Sequence, residues 1–172
     1  PSAAHQRGQY VLDVCSGHGG VSRAIRALGF DSREIDILHG PRWDVRSRRL
    51  QAQLARSIRS TEVIAMMCAP PCASFSVAQD RSGKLRDREH PWGLPGLRTE
   101  QQARVDEGNS VARAILKLVR MAERHRLPWI IENPHSSRFW NLPDIAALRS
   151  LPSVSESVVD FCMCGTMWRK RT

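Results

Sequence analysis

Long apolar runs are missing from this 172-residue chain. No stretch reaches the roughly 18 residues needed to span a bilayer, and the opening Pro-Ser-Ala-Ala-His lacks signal-peptide character, so neither a membrane partner nor secretion is expected. It also lacks an initiator Met, which reads as a domain excised from something longer. Internal repeats and low-complexity tracts are absent as well, which sets aside solenoids and flexible arrays. Cysteine is sparse and odd in number, five in all, so reduced intracellular thiols are expected rather than a disulfide framework. Grouping Cys162 and Cys164 with Cys68 and Cys72 gives CxC and CxxxC spacings. Those match structural zinc poorly, and no metal is expected.

Acidic residues are in deficit too: 17 Asp and Glu face 26 Lys and Arg, leaving a net charge of +9. All but three of the cations are arginine. Such a surface suits a polyanion, nucleic acid ahead of an anionic membrane. The densest cluster is Arg42, Arg46, Arg48, Arg49, Arg56 and Arg59. Hydrophobic residues at 41% and charged residues at 25% are an ordinary globular balance for one domain over residues 1–172.

Tyr10-Val-Leu-Asp-Val14 is a short apolar run ending in Cys-Ser-Gly-His-Gly-Gly, the punctuation of a strand turning into a helix. A helix over 21–28 would place Val21, Ile25 and Leu28 on one face and Arg23 and Arg26 elsewhere, with Gly29 as its cap. A second strand ends at Glu34-Ile-Asp36. An arginine-rich helix over 47–60 then leads to a strand over 63–67. Cys68-Ala-Pro-Pro-Cys72 leaves that strand as a loop, because two prolines neither donate to a ladder nor readily continue a helix. The polar, glycine- and proline-bearing stretch 79–100 is expected as a long surface loop beside the site. A helix follows over 104–126, and Trp129-Ile-Ile-Glu132 reads as a buried strand. Strands alternating with helices imply a mostly parallel sheet whose ligands gather at the strand carboxyl ends. The segments after Val14, Met67 and Ile131 all fall on that rim.

Asp13-Val-Cys-Ser-Gly-His-Gly-Gly20 carries no Lys-Ser/Thr, so it is not a phosphate-cradling P-loop, and it misses the GxGxxG spacing. Gly17 and Gly19 would let backbone approach a ligand, the following helix N-terminus favours a carboxylate, and Asp36 or Glu34 is placed to hold ribose hydroxyls. An adenosine joined to an amino acid meets both demands; a tight structural turn is the plain alternative. Ala69-Pro-Pro-Cys72-Ala-Ser-Phe-Ser76 holds a thiol on a stiff lead-in, and Glu132-Asn-Pro ends another strand with a carboxylate able to bind a heterocycle.

In that order, the glycine turn, Pro-Pro-Cys-Ala-Ser-Phe-Ser and Glu-Asn-Pro resemble the first, fourth and sixth motifs of DNA cytosine-5 methyltransferases. The resemblance runs from Tyr10 to the end of the chain. It implies a three-layer, Rossmann-like class I fold with helices on both faces of a mostly parallel sheet, S-adenosylmethionine as methyl donor and S-adenosylhomocysteine as product. It makes Cys72 the nucleophile, Glu132 the residue on cytosine N3 and its amine, and Arg169 and Arg171 the arginines near base and thiolate. The cofactor side would comprise Asp13, Ser16, Gly17, His18, Gly19, Gly20, Asp36, Ile37, Asp44 and Pro70. Ser74, Ser76, Asn133, Arg46, Arg48 and Arg49 would meet nucleic acid, and Asn109 matches the fifth motif. The chain departs from the family at Ala73, where Gln is usual, at Pro134, where Val is usual, and in lacking the Gln expected before the final arginines. It also stops before the target-recognition domain and the last two motifs, which implies that recognition is supplied in cis or in trans. DNA is the expected partner and RNA the alternative, with a nuclear or nucleoid location for a DNA substrate; a non-catalytic binding module of the same fold is the rival reading.

Overall fold

A computed structural model describes residues 8–160 and 171–172. The architecture is α/β. Its strands are β1 (Tyr10–Val14), β2 (Ser32–Ile35), β3 (Val63–Cys68) and β4 (Trp129–Ile131); its helices are α1 (Gly20–Ala27), α2 (Arg48–Arg59), α3 (Thr99–Arg124) and α4 (Pro143–Arg149), with short 3-10 turns between them. The four strands form one wholly parallel sheet in the order β2-β1-β3-β4. Among the described residues no helix is long and apolar enough to cross a membrane.

The chain resolves into two compact units. The first comprises the residues up to Pro70 together with Val111–Glu132, and so holds the whole sheet. The second comprises Pro71–Ser110 and Asn133–Thr172. Helix α3 contributes its first half to the second unit and its second half to the first.

The first unit is organised by β1. Every residue of β1 is buried, as a central parallel strand demands, and Leu12, Val14, Met66, Ile115 and Val119 form the driest part of the core. Helix α2 starts at Ser47, whose hydroxyl accepts from Leu50 N, and it buries Leu50, Leu54 and Ile58 at helical spacing. Lys117 of α3 reaches α2, its Nζ lying 3.3 Å from Gln51 Oε1.

Burial departs from the apolar pattern at two places in this unit. Helix α1 does not bury Val21, Ile25 and Leu28: Val21 is 38% and Leu28 72% exposed, and the residue turned inward is Ser22. The cause is polar. Asp13 Oδ2 accepts from both Ser22 N (3.1 Å) and Ser22 Oγ (2.8 Å), which fixes the rotation of the helix whatever its apolar stripe would prefer. Nor is β4 a fully buried strand, since Ile130 is 62% exposed. It is a short edge strand and lacks the two-sided cover of β1.

The second unit buries Phe75, Leu85, Val105, Phe139 and Leu142, and with them an arginine, Arg86. Phe75 and Phe139 meet edge to face at 5.6 Å. The stretch 79–100 is therefore not a bare surface loop. It begins in a 3-10 turn (Val77–Ser82), buries Leu85, Arg86 and Pro91, and gives way to α3 at Thr99.

Candidate active-site rim and nucleophile loop

In the first unit all four strands end at one level. Val14 pairs with Ile35 on one side and Cys68 on the other, and Cys68 pairs with Ile131. The ladder runs one residue further, with Ala69 N on Val14 O at 3.0 Å and Glu132 N on Cys68 O at 2.9 Å. The turn after Val14, Asp36, Ala69-Pro70 and Glu132 thus leave one rim. The strand order reverses beside β1, with β2 and β3 on opposite sides of it, which makes this rim a topological switch point.

The turn itself is left-handed at alternate residues: φ is 57° at Cys15, 54° at Gly17 and 69° at Gly19. The two glycines differ in what surrounds them. A Cβ on Gly19 would stand 2.7 Å from Glu34 Oε2, so that space is taken by a side chain of the protein, and Glu34 is further held by Arg26 Nη1 at 2.8 Å. A Cβ on Gly17 would meet nothing within 4 Å, so the open approach to the turn lies there.

Acidic side chains converge on Cys15. Burial, then the charges of Asp36, Asp13 and Asp44, push its thiol up to about 12. It stays protonated at neutral pH, and burial does the same to Cys68. Asp13 is itself raised by burial, against the Ser22 hydrogen bonds. Asp36 accepts from Gly17 N through Oδ2 and from Leu38 N through Oδ1, both at 2.9 Å, which ties the end of β2 to the glycine turn. Ile37 beside it is 52% exposed. Asp44 is clasped by Arg46, with Nη2 on Oδ2 at 2.8 Å, and that hydrogen-bonded pair holds its carboxyl below the usual range. The guanidinium of Arg46 is thus already engaged with a carboxylate. His18 and Gly20 are exposed and Pro70 is buried. Ser16 Oγ is buried and has no hydrogen-bond partner among the described residues. A buried hydroxyl in that condition, on the turn whose Gly17 side is open, fits a ligand carrying a polar group.

The second unit holds Cys72. It is half-buried and precedes a 3-10 turn (Ala73–Phe75), with Phe75 N on its carbonyl at 2.9 Å. The loop after it is pinned by Arg86. Arg86 Nε donates to Ser74 O (3.0 Å) and Nη2 to Ser74 Oγ (3.0 Å) and Val105 O (3.1 Å), while Nη1 reaches Pro91 O (2.7 Å) and Asn109 Oδ1 (2.8 Å). The guanidinium also lies 3.8 Å from the centre of the Phe75 ring. Burial lowers its pKa to about 10, which leaves it cationic at pH 7. Ser74 is consequently not a free nucleic-acid contact, because its oxygens are buried on Arg86; Ser76 instead caps the next turn by accepting from Ala78 N.

In the same unit, sequence-distant motifs meet. Thr172 Oγ1 donates to Asn133 O at 2.7 Å and His135 N to Arg171 O at 3.1 Å, so the chain end lies along Asn133-Pro-His135. The Arg171 side chain is exposed. Arg169, Cys162 and Cys164 lie outside the described residues. Cys72 and Glu132 belong to different units.

Arg86 is the residue that sequence reasoning passed over. A single arginine in a polar stretch has no periodicity to betray it. Gly108 did carry a signal, since glycine inside a long helix is costly without a packing reason. A Cβ there would collide with Ser74 Oγ and stand 3.2 Å from Arg86 Nη2.

Comparison with protein-family models, curated proteins and solved structures returned no match.

Proposed function

We propose that this chain is the catalytic core of an S-adenosylmethionine-dependent cytosine-C5 methyltransferase acting on nucleic acid, DNA before RNA. The observation that carries the reading is the common level of the strand ends, which puts the glycine turn, Asp36, Pro70 and Glu132 on one rim. Right-handed crossovers applied to the order β2-β1-β3-β4 set α1 on one face and α2 and α3 on the other, the three layers of a class I fold. The residues fit the cofactor. Asp36 retains lone pairs for ribose hydroxyls, Ile37 offers apolar cover to an adenine, Asp44 stands near for its amine, and Ser16 Oγ lacks a partner among the described residues. When bound, the cofactor supplies an electrophilic methyl group.

The chain's own residues do the rest. Cys72 sulfur adds to cytosine C6, which raises electron density at C5. Glu132 holds N3 and the exocyclic amine as the ring gains charge. Once methylated, C5 loses its proton to water, the C5–H electrons re-form the C5–C6 double bond, and the C6–sulfur pair leaves on Cys72 as thiolate. Flipping the base costs a few kcal/mol, recovered through edge contacts of this kind. Arg86 positions the nucleophile loop through Ser74 without touching substrate.

The test is a trapping experiment with 5-fluorocytosine, offered to the protein in DNA and in RNA. Fluorine cannot leave as the C5 proton does, so a denaturation-resistant adduct should accumulate with S-adenosylmethionine present. It should be lost in Cys72→Ala, persist in Cys68→Ala, and form ~10²-fold or more slowly in Glu132→Gln. No Cys72-dependent adduct on either nucleic acid would leave only the binding-module reading.

A further inference from the structure

Beyond the rim, the first unit carries a groove of 710 Å³ between α2 and the second half of α3. It arises from the α2 sequence. Residues 48, 52, 55, 56 and 59 share one helical face, with Ala52 and Ala55 as short side chains between Arg48, Arg56 and Arg59. Lys117 of α3 lines the opposite wall. No acidic side chain lines the groove, and α2 itself contains none.

This charge is not used in folding. Arg48, Arg56 and Arg59 are exposed and make no side-chain hydrogen bond or ion pair with any described residue. Arg56 and Arg59 in the last turn gain from the helix dipole, but Arg48 in the first turn is opposed by it. Five cations line the groove, of which Arg46 is balanced by Asp44; the other four repel one another, and an external anion relieves that repulsion. None of the exposed large apolar side chains lines the groove, so it lacks the apolar rim that inserts into a bilayer. From residue 48 to residue 59 α2 rises about 16 Å, close to five phosphates of one strand at ~3.4 Å each.

We propose that the α2–α3 groove is a track for a nucleic-acid phosphate backbone, distinct from the base-binding rim. It runs from the rim end of α2, beside Arg46, towards the start of β3. Arg49, although on the same helix, is not part of its lining. The proposal does not depend on methyl transfer.

The experiment measures binding of labelled single-stranded and duplex oligonucleotides by anisotropy across a salt series, for the 172-residue chain. Replacing Arg48, Arg56 and Arg59 with Ala should flatten the log-log salt slope by up to about 2 units on single strands, at ~0.7 for each phosphate no longer neutralised. Replacing the same three with Lys should leave most of the slope, and Arg49→Ala should change it least. An unaltered slope in the Ala triple variant, with an unchanged circular dichroism spectrum, overturns the proposal. So does an Arg49→Ala effect equal to that of Arg56→Ala, because net charge rather than the groove would then be responsible. Binding to phosphatidylserine vesicles but to neither oligonucleotide also overturns it, in favour of a membrane surface.

Discussion

Arg86 is wholly buried with its donors on five neutral oxygens, whereas Arg48, Arg56 and Arg59 stand exposed on α2 with no partner among the described residues. The side chain is the same and its role is reversed. Five donors in a fixed planar fork can knit neutral oxygens together with no carboxylate among their hydrogen-bond partners, and the charge remains because deprotonation is costlier still. The exposed arginines organise nothing inside the chain and are available to something outside it. A net charge of +9 therefore overstates the binding surface, because part of it is structural. Arg46 lies between these extremes, half-buried and clasped to one carboxylate.

The largest break in this contrast should come from Arg86→Ala. It strands five buried oxygens at about 1–3 kcal/mol apiece before any relaxation, so a net loss of at least ~3 kcal/mol is expected. Arg86→Lys keeps the charge but not the fork and should still cost about 2 kcal/mol. Urea midpoints at constant slope measure both. If Lys restored full stability, charge rather than geometry would be what that site requires. Arg56→Ala on α2 should shift the midpoint by no more than ~0.5 kcal/mol.

A smaller loss is expected from Gly108→Ala, and its sign is the informative part. Alanine in an exposed helix interior gains about 0.5–1 kcal/mol over glycine. Here the added methyl meets Ser74 Oγ and lies 3.2 Å from Arg86 Nη2. Overpacking of that kind costs about 1–3 kcal/mol, so the variant should be less stable than the parent chain. A stabilised Gly108→Ala would mean that Ser74 and Arg86 give way freely, and that the nucleophile loop is not held as described.

The rim was legible in the sequence because its signals are local. Gly17, Gly19, Pro70 and Glu132 mark strand ends by residue type, and a parallel sheet then aligns them without further information. What stayed hidden depended on polar partners far apart in the chain. Helix α1 showed an apolar stripe at Val21, Ile25 and Leu28, yet Asp13 overrode it through Ser22. The stretch 79–100 looked like solvent-facing loop because it is polar, yet its Arg86 is wholly buried. Apolar periodicity reports burial by the hydrophobic effect and is silent about burial by hydrogen bonding. The Arg46–Asp44 clasp was hidden likewise, although the two residues are nearly adjacent.

That clasp gives the smallest effect and completes the series. Arg46 holds the Asp44 carboxyl below its ordinary 3.8, mainly by side-chain hydrogen bonding. A depressed native pKa means that the unfolded chain binds the proton more readily, so stability rises with pH through that window. The contribution of the pair is fully present above about pH 4 and fades as pH falls through the native value, below 3.8. With side chains 32% and 22% exposed, solvent screens the pair, and its worth is held to about 0.5–1 kcal/mol. Arg46→Gln should thus be less stable than the parent chain by that amount at pH 6, with the difference shrinking as pH falls below 3.8, and urea midpoints along that pH series are the measure. Added salt should shrink the pH 6 difference, whereas the Arg86→Lys deficit, arising in a dry site, should barely respond. A pH-independent Arg46→Gln deficit would assign Arg46 a packing role in place of an electrostatic one.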